Sequence, residues 1–297
     1  MNILPIDRQI AAISALTEGV SIRATERLTG IHRDTIMRLG VRVGQGCAKL
    51  HDGLMRDLHV NLIEMDETWA YVGKKQRRMT DADGTDKGDQ YTFIALDSLD
   101  KAILSYRVGK RDGDNTRAFL WDLRERITNV PQISSDAFPP YAEAMREIFG
   151  DNVHYGQIVK RYVGEPPINA ARRYSPGHIV AVEKAQVLGK PAGFQISTSM
   201  VERSNLTLRM QQRRFTRLTN GFSKKLENHK AAVALFVAHY NLCRVHESLR
   251  VTPAMQLGVT DHVWSVGELI ETATTGALTK MTARRVGGFR VIDGGLS

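Results

Sequence analysis

NLIEMDETWAYVG, residues 61–73, is where the chain changes its period. Upstream, apolar positions recur at helical spacing; here the pattern becomes strand-like, with Asp66 inside a short β-rich run. QYTFIALD (90–97) and KAILSYRVG (101–109) follow as further strands. Only Ser98-Leu99-Asp100 separates these two, so they pair as an antiparallel hairpin. The stretch between the first and second strands, KKQRRMTDADGTDKGD (74–89), is a polar, charge-dense loop.

Downstream, Phe119, Leu120, Leu123 and Ile127 place a helix over 114–128. Residues 131–135 suit a short buried strand ending at Asp136. PPYAEAMREIFG (139–150) starts a helix with proline in its first turn and stops it at Gly150. HYGQIVKRY (154–162) is a fifth strand. Three antiparallel strands, a helix, then strand, helix and strand is the ribonuclease-H-like order. It is an α/β layer architecture with helices on the sheet faces.

Ahead of this core, three short helices are expected. Ile6, Ile10, Ile13 and Leu16 line the first, which stops at Gly19. Ser21 caps a second, which ends at Thr29-Gly30. Asp34 or Thr35 caps a third, with Ile36, Leu39 and Val43 inward and Arg33, Arg38 and Arg42 outward. Two helices joined by a short glycine-containing turn, the second one basic, form a helix-turn-helix-like pattern. The third helix would enter the major groove of DNA. The alternative is a small helical bundle that only covers the next domain.

The acids fall at meaningful places in this order. Ligands of open α/β sheets gather at carboxyl strand ends, so Asp66 and Asp136 can stand side by side. Glu202, on a helix after the fifth strand, is the third candidate. Converging carboxylates repel unless divalent cations neutralise them, and hard oxygen ligands select Mg²⁺ or Mn²⁺. Two such ions about 3.5–4 Å apart would serve phosphodiester displacement. Among competing acids, Glu64 shares a face with Asp66. Glu67 points to the opposite face of the strand. Asp97 and Asp100 flank a turn, where acids commonly serve turn chemistry.

Glu202 belongs to SMVERSNLTLRMQQRRFTRLTNGFSKK (199–225), where it is the one acid against Arg203, Arg209, Arg213, Arg214, Arg217, Lys224 and Lys225. A helix over most of this stretch, closed by Asn220-Gly221, puts Glu202, Asn205 and Arg209 on one face. Val201, Ser204, Leu208 and Phe215 would line another. Solvated faces usually mix both signs, so the one-sided charge suits a grip on phosphates. After it, Leu226, His229, Val233, Phe236 and Tyr240 mark one face of a further helix, with His229 a packed core histidine.

The composition agrees. In 297 residues, 41 Lys and Arg oppose 32 Asp and Glu, a net +9 that makes nucleic acid the first partner to expect. No run of about 18 apolar residues exists, so no membrane span is expected. MNILPIDRQIAA lacks the pattern of a signal peptide. Cys47 and Cys243 are isolated and support neither a zinc ribbon nor a disulfide framework. A cytoplasmic protein, nucleoid-associated when bound to DNA, is the expectation.

MDETWAYVGKK, SSDAFPPY, and MVERSNLTLRMQQRRFTRLTNGFSKK followed by HYN together resemble the DDE transposases of bacterial insertion sequences, and the insertion sequence one family in particular. The resemblance covers roughly residues 62–241, and the Glu202 block is its most specific part. It implies a DDE integrase-type core in which Asp66, Asp136 and Glu202 bind the catalytic metals. It also implies cleavage and 3′-hydroxyl joining of double-stranded DNA, at element terminal repeats and target, by a homodimer or larger homo-oligomer. Asn205 and Arg209 match the E-R-x-N-x-x-x-R pattern beside the acid and are expected to position phosphate. Tyr240-Asn241, Arg244, His246 and Thr252-Pro253 resemble the C-terminal ends of integrase-like transposases. The chain departs from the family in lacking a four-cysteine zinc ribbon. Two other readings stay open: a DNA-binding regulator that lost catalysis, and a nuclease that cuts without joining.

The expected organisation is a helix-turn-helix-like domain over 1–55 and the first part of the core over 56–161. A Pro- and Gly-rich insertion over 162–197 follows, a loop or a DNA-contacting or partner-contacting module. Residues 198–250 hold the catalytic helix and the C-terminal helices of the core, and 251–297 a flexible tail or partner arm. Removing residues 1–50 should then leave a folded core.

Overall fold

In a computed structural model describing residues 4–163, 178–216 and 220–275, the central strand is β1 (Leu62–Val72). It pairs antiparallel with β2 (Gly88–Asp97), which pairs antiparallel with β3 (Ile103–Gly109). On its other side β1 runs parallel to β4 (Gln132–Asp136), and β4 parallel to β5 (His154–Val163). A further strand, β6 (His178–Leu188), pairs antiparallel with β5 and completes the order β3-β2-β1-β4-β5-β6. This mixed α/β sheet is compatible with the ribonuclease-H-like order. The described part of the expected insertion is therefore largely a strand that widens the sheet.

Alternation along the strands sends side chains into two layers. Ile63, Met65, Phe93, Ala95 and Ile133 face α4 (Gly113–Arg124) and α5 (Pro139–Phe149), where Phe119, Leu120, Tyr141 and Met145 are buried against them. The opposite parity, Ala70, Ile94 and Leu96, faces α6 (Ser199–Gln211) and α7 (Leu226–Ala238) through Val201, Leu208, Val233 and Phe236. Helix α4 begins at Asp112, whose carboxylate accepts from the Asn115 N–H (2.8 Å).

The N-terminal helices are α1 (Ile6–Thr17), α2 (Ile22–Thr29) and α3 (Arg33–Leu54). Ser21 caps α2, accepting from the Ala24 N–H (3.2 Å), and Gly30 closes it at φ +66°. Helix α3 is capped by His32 rather than by Asp34 or Thr35, and at 22 residues it is not short. Two of its glycines are places of close approach. A Cβ on Gly44 would overlap the Ala231 carbonyl of α7, and one on Gly46 the Ala273 carbonyl of α9 (Val266–Thr275). They are points of backbone contact, not stops.

Consequently Ala12, Ile13, Val43 and Cys47 share one core with Ala234, Leu235 and Leu242. Residues 253–275 also depart from the expected loose tail. They form α8 (Pro253–Gln256) and α9, and Trp264, Leu269 and Ile270 are buried in that same core. Helix α7 continues into a π-helical turn over His239–Cys243. Residues 276–297 lie outside the described part. No helix among the described residues is long and apolar enough to cross a membrane.

Candidate active site

Glu64 fixes the position of α6 on the sheet. Its carboxylate, 5% exposed, accepts from the N–H groups of Met200 (2.7 Å) and Val201 (3.0 Å) in the helix's first turn. Those amides have no partner within the helix, and the positive end of the helix dipole favours an anion there. The acid that rivalled Asp66 is thus a helix anchor. Burial raises its pKa, and the two amide bonds work against that rise.

Two residues along, Asp66 accepts from the Asn205 side-chain amide (2.8 Å). Asn205 is 2% exposed and lies on the buried face of α6 with Val201, Ser204 and Leu208, not with exposed Glu202. Burial lifts the Asp66 pKa to about 6, and the charges of Asp136 and Glu202 add to the rise.

Pairing of β1 with β4 stops at Met65 and Ser135, so the next residue, Asp136, falls beside Asp66. The Phe138 N–H donates to Asp136 Oδ1 (3.1 Å) and orients the carboxyl group. Because β4 ends here, β1 has no further partner on that side among the described residues until Val72 bridges Ser223, and a notch is left beside Asp66. Glu67, pointing to the α5 side, reaches the same notch. Asp66, Glu67 and Asp136 each offer a carboxylate oxygen, all within 4.8 Å of one another, the one such group among the described residues.

Burial raises the Glu67 pKa to about 7; the Asp136 charge adds to it, while Tyr141 and Arg111 oppose it. The Glu67 side chain is 2% exposed, and its Oε1 makes no hydrogen bond of good geometry although the buried Tyr141 hydroxyl is close. Arg111, between β3 and α4, donates from Nε to Glu67 Oε2 (3.0 Å) and from a terminal nitrogen to Asp136 Oδ2 (3.3 Å).

Glu202 is near enough for its charge to act on Asp66 but lies outside the close group. Its Oε1 accepts from Lys160 Nζ on β5 (2.8 Å) and from Thr198 Oγ1 (3.0 Å). Of the three acids expected from the sequence, the structure brings carboxylate oxygens of two within 4.8 Å and holds the third alongside.

The basic residues are distributed over two regions. Arg33, Arg38 and Arg42 are exposed on α3, Arg42 donating to Gln9 Oε1 (3.1 Å). Arg203, Arg213, Lys224 and Lys225 are exposed, while Arg209 and Arg214 are half-buried. Arg214 donates to Ser223 Oγ (3.0 Å), which also bonds His229 Nδ1 (2.9 Å). His229 is buried, as its helix face indicated, and burial depresses its pKa to about 3. The helix expected over most of 199–225 is shorter, and Arg209 and Arg213 do not share it. Helix α6 ends at Gln211; buried Gln212 turns extended, and a 3₁₀ turn over Arg213–Phe215 seats Phe215 against His229. Arg217 lies outside the described residues.

Glu67, Arg111 and Lys160 are not among the site residues the sequence points to. Strand parity argued against Glu67, and only the early end of β4 overrides that argument. Arg111 carried one weak sign, a cation directly before the Asp112 cap.

No protein-family profile matches the chain. Among curated proteins it is similar to insertion element iso-IS1n protein InsB of Shigella dysenteriae, 23% identical over 176 residues, covering 59% of this chain and 93% of that protein. It is also similar to insertion element IS1 protein InsB of Shigella sonnei, 26% identical over 181 residues, 60% of this chain and 95% of that one. Insertion element IS1 9 protein InsB of Escherichia coli K12 matches at 26% identity over 75% of its length.

Proposed function

We propose that the chain is an insertion-sequence transposase of the DDE type, cutting DNA at element ends and joining the freed 3′-hydroxyl to target DNA. The observation that carries this reading is the meeting of Asp66 and Asp136 at the end of β4, with Glu202 on a helix tied to β1 by Glu64 and Asn205. Its similarity to the insertion-element InsB proteins supports the same reading.

The donor set fits a hard divalent cation: carboxylate oxygens only, half-buried, with one buried Glu67 oxygen lacking a good hydrogen bond. Asp66, Asp136 and Glu202 would hold two Mg²⁺ or Mn²⁺ ions, with Glu67 beside them. Bound there, such ions supply activation of the attacking oxygen and neutralisation of charge on the phosphate. The protein's own part is placement. Asn205 orients Asp66, the Phe138 amide orients Asp136, and Glu64 fixes the helix bearing Glu202. Arg203, Arg209, Arg213, Arg214, Lys224 and Lys225, with Arg217, would hold DNA phosphates near the acids. Arg33, Arg38 and Arg42 would read or grip duplex DNA from α3 in a helix-turn-helix-like manner. Joining two ends calls for a homodimer or a larger homo-oligomer.

The test is Mg²⁺-dependent nicking and joining of duplexes carrying element ends, with Asp136→Asn alongside the wild type. The variant should bind DNA yet neither cut nor join. Full cutting by Asp136→Asn removes that residue from the mechanism. Cutting without joining by the wild type indicates a nuclease, and binding without cutting a regulator.

A further inference from the structure

We propose that Arg111 is an internal counterion that occupies the cation position of the acid cluster and that a divalent metal ion has to displace. This rests on the metal-binding reading of Asp66 and Asp136 given above. Three carboxylates whose oxygens lie within 4.8 Å of one another carry a strong mutual repulsion unless a positive charge stands among them. Arg111 is that charge. Its guanidinium bridges two of the three, at 3.0 Å from Glu67 and 3.3 Å from Asp136. It also lies 4.0 Å above the Phe138 ring, a stacking contact that fixes its plane.

Three features make Arg111 a resident that can leave. Its side chain is 34% exposed, so it has a way out into solvent at the cost of the Phe138 stack. Among the described residues Asp66 receives the Asn205 amide and the backbone N–H of Glu67 and is in no ion pair, so an incoming ion meets a carboxylate without a counterion first. Glu67, once released, presents two oxygens from a nearly fully buried side chain, one of them already without a good hydrogen bond. A planar guanidinium satisfies carboxylates in pairs, whereas a small divalent ion draws several oxygens to one centre. An ion drawing on Glu67 Oε2 and Asp136 Oδ2 takes the oxygens that Arg111 now holds, so metal binding and the Arg111 bridge compete.

The experiment is calorimetric titration of the metal-free full chain with MnCl₂, for the wild type, Arg111→Gln and Arg111→Met, with thermal unfolding in EDTA and in Mn²⁺. Arg111→Met keeps an apolar side chain of similar length against Phe138 while removing the charge. Both variants should bind Mn²⁺ about tenfold more tightly, the scale of one charge-assisted hydrogen bond lost from the competing state. Both should melt lower than the wild type in EDTA and recover with Mn²⁺. Saturable binding by the wild type with equal or weaker binding by both variants overturns the counterion role and leaves the metal site standing. Absence of Mn²⁺ binding in all three, or binding unaltered by Asp136→Asn, overturns both readings. An arginine that only braces the fold would lower the EDTA melting temperature without tightening Mn²⁺ binding.

Discussion

The Met200 N–H donates to the Glu64 carboxylate across 2.7 Å, and a strand thereby sets the position of a helix. Glu64 and Asp66 stand on one face of β1, two residues apart. The first anchors α6 at its N-terminus and the second, through Asn205, holds it one turn further on. Glu202 lies between these two attachments on the helix.

Glu64→Ala should lower stability by about 1–3 kcal/mol, because it leaves two helix-terminal N–H groups buried without an acceptor. Glu64→Gln, which retains a carbonyl acceptor, should cost less. Urea unfolding measures both. On the transposase reading, cleavage by the alanine variant should fall further than its folded fraction explains, since Glu202 loses its placement. A midpoint shift shared equally by the two variants would show that charge, not the acceptor, does the anchoring.

The acid cluster makes metal-free stability depend on pH in a definite direction. Asp66 and Glu67 have folded-state pKa values raised to about 6 and about 7. The folded protein thus holds more protons than the unfolded chain between roughly pH 4 and 7, and this contribution to stability is lost as pH rises through that range. His51 and His229, depressed to about 4 and about 3 by burial, act oppositely, gaining as pH rises through about 6.5. The cluster is isolated by comparing Asp66→Asn/Glu67→Gln with the wild type in EDTA. The variant's advantage should be near zero at pH 4 and largest above pH 7. Parallel curves would contradict the raised values.

If the exposed cations around α6 grip DNA, Arg203→Ala/Arg213→Ala should weaken binding to all sequences alike. Each lost phosphate contact lowers the log–log salt slope by roughly 0.9, so the pair should flatten it by about two. An unchanged slope with a lowered melting temperature would assign these arginines to the fold alone.

Gly44→Ala should destabilise by about 1–3 kcal/mol or more, since its Cβ would meet backbone rather than a movable side chain. By the same contact, removing residues 1–50 uncovers Ala234, Leu235 and Leu242 and should yield an insoluble or molten product, not the folded core expected from sequence. A soluble, cooperatively melting truncation would show that α7 can close over that surface alone.

Local pattern sufficed wherever local rules act. The strands around Asp66, the hairpin at Ser98–Asp100 and the proline-to-glycine helix before Gly150 were legible because alternation and turn chemistry are short-range. So was the adjacency of Asp66 and Asp136, which follows from strand ends. What stayed hidden depends on contacts between distant segments. The close approach at Gly44 and Gly46 exists only with α7 and α9 against them. Trp264 and Ile270 look like scattered apolar residues until α3 buries them. Glu67 joins the notch only because β4 is short, and Arg111 only because the turn after β3 brings it there.

The length of α3 has a mechanical consequence. His51, near its C-terminal end, meets the Ile103 carbonyl on β3 (3.1 Å), and from there to Arg33 the helix is unbroken for about 27 Å at 1.5 Å per residue. It is a strut bolted to the sheet, without a hinge. On the transposase reading, whatever base pairs its outer end touches are held at a set offset from the scissile phosphate. The stretch of duplex between them is then measured by protein rather than by DNA. Inserting one base pair there should move the cut by one position, because a ruler slides where a tether would stretch.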